Sequence, residues 1–127
     1  MNRHTSTEDS PDFLKIRTKK FALAIIRLCE ALPKGKTAEI ISRQLIRCSC
    51  SVGANYRAAC RGKSKPDWIA KLGIVNEEID EALYWIELLV ESGILPKEKG
   101  QAASTEAEEI TSMIVASIKT SKQNLKA

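Results

Sequence analysis

One long stretch decides how this chain folds: residues 37–61 read TAEIISRQLIRCSCSVGANYRAACR. When these residues are placed around a helix axis at about 100° per residue, the main apolar side chains fall within one arc of about 80°. They are Ile41, Leu45, Cys48, Val52, Tyr56 and Ala59. A similar arc on the opposite side carries Arg43, Arg47, Arg57 and Arg61, with Cys50 and Ala54 between them. The stretch therefore predicts one amphipathic helix about 36 Å long, with an apolar side and an arginine side.

Glycine and proline divide the rest of the chain into three further segments that have the apolar period of helices. The first is expected to begin at Ser10, which can cap the helix, and to end before Pro33. The next is expected to begin at Ser64 and to stop at Ser92-Gly93. The last is expected to begin at Thr105, where a glutamate three residues later completes a capping box.

These segments predict the architecture of the whole chain. Four amphipathic helices with short connections are typical of an all-α, antiparallel up-and-down four-helix bundle. The length of 127 residues suits a single domain. The expected division is a flexible N-terminal tail (1–10), the bundle (11–122) and a frayed C-terminal tail (123–127).

Four residues are candidates for helix or subunit interfaces. The apolar stripe of the third helix is wide, because Tyr84 and Trp85 lie off its centre, and such width indicates self-association. Gly53 costs about 1 kcal/mol of helix propensity relative to alanine, which favours a role in close helix approach. Asn55, at the edge of the apolar arc, is expected to hydrogen-bond across a helix or subunit boundary, with a partly exposed spacer as the alternative.

Charge is strongly segregated along the chain. The formal net charge is only +4, yet residues 34–65 hold eight bases and one acid, Glu39, whereas residues 77–91 hold six acids and no base. Three interpretations stay open. The arginine side contacts nucleic-acid phosphates, it meets the acidic segment of a neighbouring subunit, or it is a solvated helix face without a partner.

The sequence lacks the residue patterns of common catalytic and metal sites. Its one histidine, His4, lies in a polar segment, so neither a histidine-based triad nor a mixed zinc site is expected. No glycine-rich phosphate loop follows a strand-like segment. We therefore expect a protein that is not an enzyme and that holds no metal and no cofactor.

The cysteines and the hydropathy pattern indicate a cytoplasmic protein. Cys29, Cys48 and Cys60 are expected to be small packed residues in a reducing compartment. Cys50 lies among the arginines and is either an inert small residue or a reactive thiol. The longest apolar run, residues 21–26, is far too short to cross a membrane, and the N-terminus has no secretory signal pattern.

Residues 44–57, QLIRCSCSVGANYR, resemble a signature segment of a known family. These are the four-helix bundle proteins encoded by intervening sequences in bacterial large-subunit ribosomal RNA genes, once labelled S23 ribosomal protein. The resemblance covers residues 13–95, and the chain departs from the pattern at Ala58, where relatives often carry Glu, and at Cys48 and Cys50. It implies a bundle that assembles as a ring-shaped homopentamer.

The resemblance extends to the accessory variability determinants of diversity-generating retroelements, which share this architecture, bind nucleic acid and associate with a reverse transcriptase. We therefore expect a non-catalytic homo-oligomer whose arginine side binds RNA or DNA. The expected phosphate contacts are Arg43, Arg47, Arg57, Arg61, Lys63 and Lys65. The alternative is a protein-protein adaptor or accessory subunit, for example of a reverse transcriptase, or a structural protein whose charges serve subunit assembly.

Overall fold

The computed structural model describes residues 11–126, and nearly all of them are helical. Four helices follow one another along the chain: α1 (Pro11–Glu30), α2 (Lys36–Cys60), α3 (Lys65–Glu91) and α4 (Lys97–Lys126). No strand occurs in this part of the chain. The predicted all-α class with four helices is therefore confirmed. The predicted N-terminal tail, with His4 and the Ser10 cap, lies outside the described residues.

The four helices lie at the corners of a square in cross-section, and neighbouring helices run antiparallel. Within residues 11–126, α1 packs on α2 and α4, and α3 packs on the same two helices. Arg47 of α2 pairs with Glu81 of α3. Tyr56, later in α2, packs edge-on against Trp68, earlier in α3. The Trp68 indole also donates a hydrogen bond of 2.9 Å to Ser121 near the end of α4, so α3 and α4 are antiparallel as well.

The core forms where the apolar stripes of all four helices meet. Its fully buried large side chains are Phe21, Ile25, Leu45, Val52, Leu72, Val75, Ile79, Ile86, Leu89, Ile110 and Ile114. The predicted apolar side of α2 is part of this core, because five of its side chains are at most 2% exposed: Leu45, Cys48, Val52, Tyr56 and Ala59. Burying a Val or Leu side chain stabilises a fold by about 1.5–3 kcal/mol, so this contact fixes the rotation of α2 about its axis.

Two predicted helix ends agree with the structure. The Ser64 hydroxyl accepts a hydrogen bond of 3.2 Å from the Asp67 backbone amide, which makes Ser64 the N-cap of α3. At the other end, Gly93 has a φ of 82°, a left-handed conformation that glycine adopts without steric cost. This conformation lets the backbone amides of Ile94 and Leu95 bond the Leu89 carbonyl.

The predicted start of α4 at Thr105 is wrong, because the helix begins eight residues earlier at Lys97. Gly100 is inside α4 and does not interrupt it. A Cβ atom at this position would overlap Cγ2 of Val90 in α3, so the glycine allows α4 to lie close to α3. The Thr105 hydroxyl accepts a hydrogen bond of 3.4 Å from Gln101, one turn earlier in the same helix.

The last turns of α4 are tied to the bundle. Ser121 is buried and receives the Trp68 hydrogen bond described above. The helix continues to Lys126, past the predicted bundle limit at Lys122. The division into tails and bundle otherwise stays a prediction.

We expect Gly100→Ala to destabilise the fold by about 1–3 kcal/mol, because the added methyl group overlaps Val90 in a filled interface. Equilibrium urea unfolding measures the change. The matched control is Gly73→Ala in α3, where an added Cβ meets nothing within 4 Å and the higher helix propensity of alanine should stabilise by about 0.5–1 kcal/mol. A Gly100→Ala protein as stable as the wild type would contradict this role of the glycine.

Candidate nucleic-acid interface

The predicted phosphate contacts lie along α2 and the turn that follows it. All six are exposed: Arg43, Arg47, Arg57, Arg61, Lys63 and Lys65. We call them the basic face. Arg43, Arg47 and Arg57 project from α2 on the side opposite its buried residues, and Arg61 is the C-cap residue that follows the helix. From Arg43 to Arg61 the arginines span about 27 Å. Lys63 and Lys65 continue the surface over the turn into α3.

Arg47 differs from the other arginines because it is held by α3. Its Nη2 atom lies 2.6 Å from Glu81 Oε2, and its Nη1 atom lies 3.5 Å from Glu78 Oε1. The Trp85 indole donates a second hydrogen bond, of 3.0 Å, to the same Glu81 oxygen. The indole first, and then the Arg47 guanidinium, hold the pKa of the Glu81 carboxyl below its usual range. Arg47 therefore helps to join α2 to α3 and has less free charge to offer a ligand.

The other three arginines keep their charge available. Within residues 11–126, the side chains of Arg43, Arg57 and Arg61 make neither an ion pair nor a side-chain hydrogen bond. The one acid beside the lysines, Asp67, is already engaged: its carboxylate binds the Lys71 ammonium at 2.7 Å and accepts from the Lys63 amide.

The candidate interface residues on α2 occupy different surroundings. Gly53 faces α1, where an added Cβ would lie 3.3 Å from the Thr18 hydroxyl oxygen, which agrees with the expected close helix approach. Asn55 donates from Nδ2 to the Ser51 carbonyl at 2.9 Å and to the Ser51 hydroxyl at 2.7 Å. These bonds lie within α2. Among the described residues Asn55 makes no bond to another helix, because Ser51, one turn earlier, accepts from its Nδ2 group. A bond across a subunit boundary stays a prediction.

The two aromatic candidates on α3 lie side by side. Tyr84 is 54% exposed, and its ring meets the Trp85 ring in an edge-on contact with centroids 5.2 Å apart. Trp85 is half-buried and packs against the core. A subunit contact through either residue stays a prediction.

The sequence prediction did not include two lysines of α1 that border the basic face. Lys15 and Lys19 line a shallow groove of about 230 Å³ between α1 and α2, together with Cys50, Ala54 and Arg57. Their spacing of one helical turn is visible in the sequence. The sequence does not show which side of α1 meets α2, because tertiary packing decides it. The two lysines could therefore not be placed beside the basic face from the sequence.

Two further kinds of site are a metal centre and a membrane-spanning helix. Among residues 11–126 there is no group of three His, Cys, Asp or Glu side chains that could hold a metal ion. None of the four helices is both long and apolar enough to cross a membrane.

Two comparisons with known proteins show which family the chain is similar to. The family model of the 23S rRNA-intervening sequence protein matches residues 15–116. A solved structure from Bacteroides thetaiotaomicron, of a protein with unknown function from the S23 ribosomal protein family, has 30% sequence identity and a TM-score of 0.80. This similarity covers 86% of the present chain and 97% of that chain. No curated protein matches the sequence.

We expect Trp85→Phe and Arg47→Gln each to raise the pKa of Glu81, because the first variant removes a hydrogen bond to the carboxylate and the second removes both a hydrogen bond and a neighbouring positive charge. Since the folded pKa lies below the unfolded one, Glu81 contributes stability above a pH of about 4.5 that is lost as the pH falls through the folded pKa. Carboxyl carbon chemical shifts followed against pH measure both effects. An unchanged pKa of Glu81 in both variants would contradict this geometry.

Proposed function

This chain belongs to the 23S rRNA-intervening sequence protein family, and we propose that it is a non-catalytic protein that binds RNA or DNA through its basic face. The observation that carries the proposal is the set of exposed arginines on one rigid helix, three of which lack a carboxylate partner in the described chain. Arginine suits this role because its planar guanidinium binds phosphate oxygens in pairs.

The charge pattern favours a ligand over a merely solvated surface. Arg57 and Arg61 lie four residues apart at the end of α2 and are both exposed, so their positive charges repel each other. A polyanion relieves the repulsion, since each phosphate contact neutralises a cation and releases counterions from the nucleic acid. Four to six such contacts give a slope of log affinity against log salt of roughly −3 to −5.

We expect Arg43→Gln and Arg61→Gln each to weaken binding several-fold and to reduce the salt slope by about 1, whereas Arg47→Gln should have a smaller effect because Glu81 already pairs with Arg47. Fluorescence anisotropy with labelled oligonucleotides at several salt concentrations measures both quantities. Lys119→Gln, which removes one positive charge from an exposed position on α4, is the control. Binding by the wild type that is absent or insensitive to salt would exclude this function.

A second proposal concerns assembly, and it is favoured by two complementary surfaces. The outer side of α1 exposes Ile16 and Leu23, at 49% and 38%, next to the cations of Lys20 and Arg27. The outer side of α3 exposes Tyr84 among four exposed acids, which are Glu77, Asp80, Glu87 and Glu91. The α3 surface carries acids only, whereas the α1 surface has Lys20 and Arg27 beside its apolar residues and the acids Asp12 and Glu30 near its two ends. The α3 side of one copy therefore fits the middle of the α1 side of the next.

Such a contact joins two different surfaces, and repetition of the same rotation closes a ring. The ring-shaped homopentamer implied by the sequence resemblance is one such closed assembly. We propose this arrangement for the chain.

We expect the purified protein to form particles several times heavier than the 14.1 kDa chain and Tyr84→Lys to shift them toward that mass, because the variant places a cation opposite Lys20 and Arg27. Multi-angle light scattering measures the mass. Val115→Lys changes an equally exposed apolar residue of α4 and should leave the mass unchanged. A wild-type particle of 14.1 kDa at micromolar concentration would exclude assembly.

A further inference from the structure

We propose that the groove between α1 and α2 is the track for a single nucleic-acid strand, with Lys15 and Lys19 as additional phosphate contacts and Cys50 on its floor. This inference rests on the nucleic-acid function proposed above and assigns its binding site. The groove holds about 230 Å³.

The groove exists because small residues let the two helices approach. Gly53 presents no side chain to α1, so the backbone of α2 lies directly against Thr18. Between Arg47 and Arg57, the outward side of α2 carries only Cys50 and Ala54, both short and exposed. The middle of the basic face is therefore a depression, and the long cationic side chains stand around it.

The electrostatics of the groove suit a phosphodiester chain. Its lining contains three cationic side chains, Lys15, Lys19 and Arg57, and no carboxylate among the described residues. Lys19 and Arg57 are exposed and make no ion pair in residues 11–126. The partner of Lys15 is Asp12 at 3.9 Å, an exposed pair that phosphate can replace at little cost.

The shape of the groove selects one strand over a duplex. Packed helices lie about 8–10 Å apart between their axes, so the trough between them admits one sugar-phosphate chain along its floor. No aromatic ring lines it, so it offers no stacking platform for bases. Recognition is therefore directed at the backbone and tolerates any base sequence.

Lys19→Gln tests the contact against the control Lys119→Gln, which removes the same charge from an exposed position on α4, the helix that does not pack on α2. The probes are labelled oligo(dT), oligo(U) and a duplex of equal length. We expect Lys19→Gln to weaken single-strand binding several-fold and to reduce the salt slope by about 1, with Lys119→Gln unchanged. The duplex should bind more weakly than the single strands.

Cys50 provides an independent readout because it is the exposed cysteine, whereas Cys29 and Cys48 are buried and Cys60 is half-buried. Alkylation mapped by mass spectrometry should slow several-fold at Cys50 when saturating oligo(dT) is bound, and the protection should disappear at high salt as the strand dissociates. This measurement uses the unmodified chain, so it does not depend on how a variant folds.

The outcomes separate the site from the function. If Arg43→Gln and Arg61→Gln weaken binding while Lys19→Gln behaves like Lys119→Gln and Cys50 stays reactive, the groove is not the track, although the basic face still binds. Tighter binding of the duplex also overturns the single-strand assignment. If the wild type binds none of the probes, both the assignment of the groove as a binding site and the proposed function are wrong.

Discussion

Burial of one side of α2 is the constraint from which the other features of this bundle follow. Leu45, Cys48 and Val52 are wholly withdrawn from water, and the helix can place them there in only one rotation. Turning α2 by half a revolution would instead bury its guanidinium groups, at a cost of several kcal/mol for each uncompensated charge. The core therefore decides that the arginines point outward, and packing produces the electrostatic surface as a consequence.

Two ion-pair clusters then join the helices along opposite sides of the square. On one side, Arg47 connects α2 to α3 through Glu81. On the other side, Arg17 donates from Nε and Nη2 to the two carboxylate oxygens of Glu106, each at 2.7 Å, and thereby connects α1 to α4. Both arginines are matched by acids on the neighbouring helix. Arg43, Arg57 and Arg61 have no such acid in the described chain and lie together on the basic face, which is why binding is assigned to them.

The sequence alone predicts those features that depend on local chemistry. The rotation of α2, the Ser64 cap and the Gly93 stop each follow from residues within one or two helical turns, and the structure agrees with all three. Two features that depend on the neighbouring helix are not predicted. Gly100 looks like a helix breaker until Val90 is placed against it, and Arg47 looks free until Glu81 is placed beside it.

The placement of the two tryptophans gives the molecule a pair of optical reporters. Trp68 and Trp85 lie on α3 about 26 Å apart, and each indole N–H has a different partner, the Ser121 hydroxyl for one and the Glu81 carboxylate for the other. Emission from Trp68 is thus sensitive to whether the end of α4 stays docked. Emission from Trp85 is sensitive to the connection between α2 and α3. In variants that retain only one of the two tryptophans, intrinsic fluorescence can therefore follow the loosening of each helix contact separately, without any attached dye.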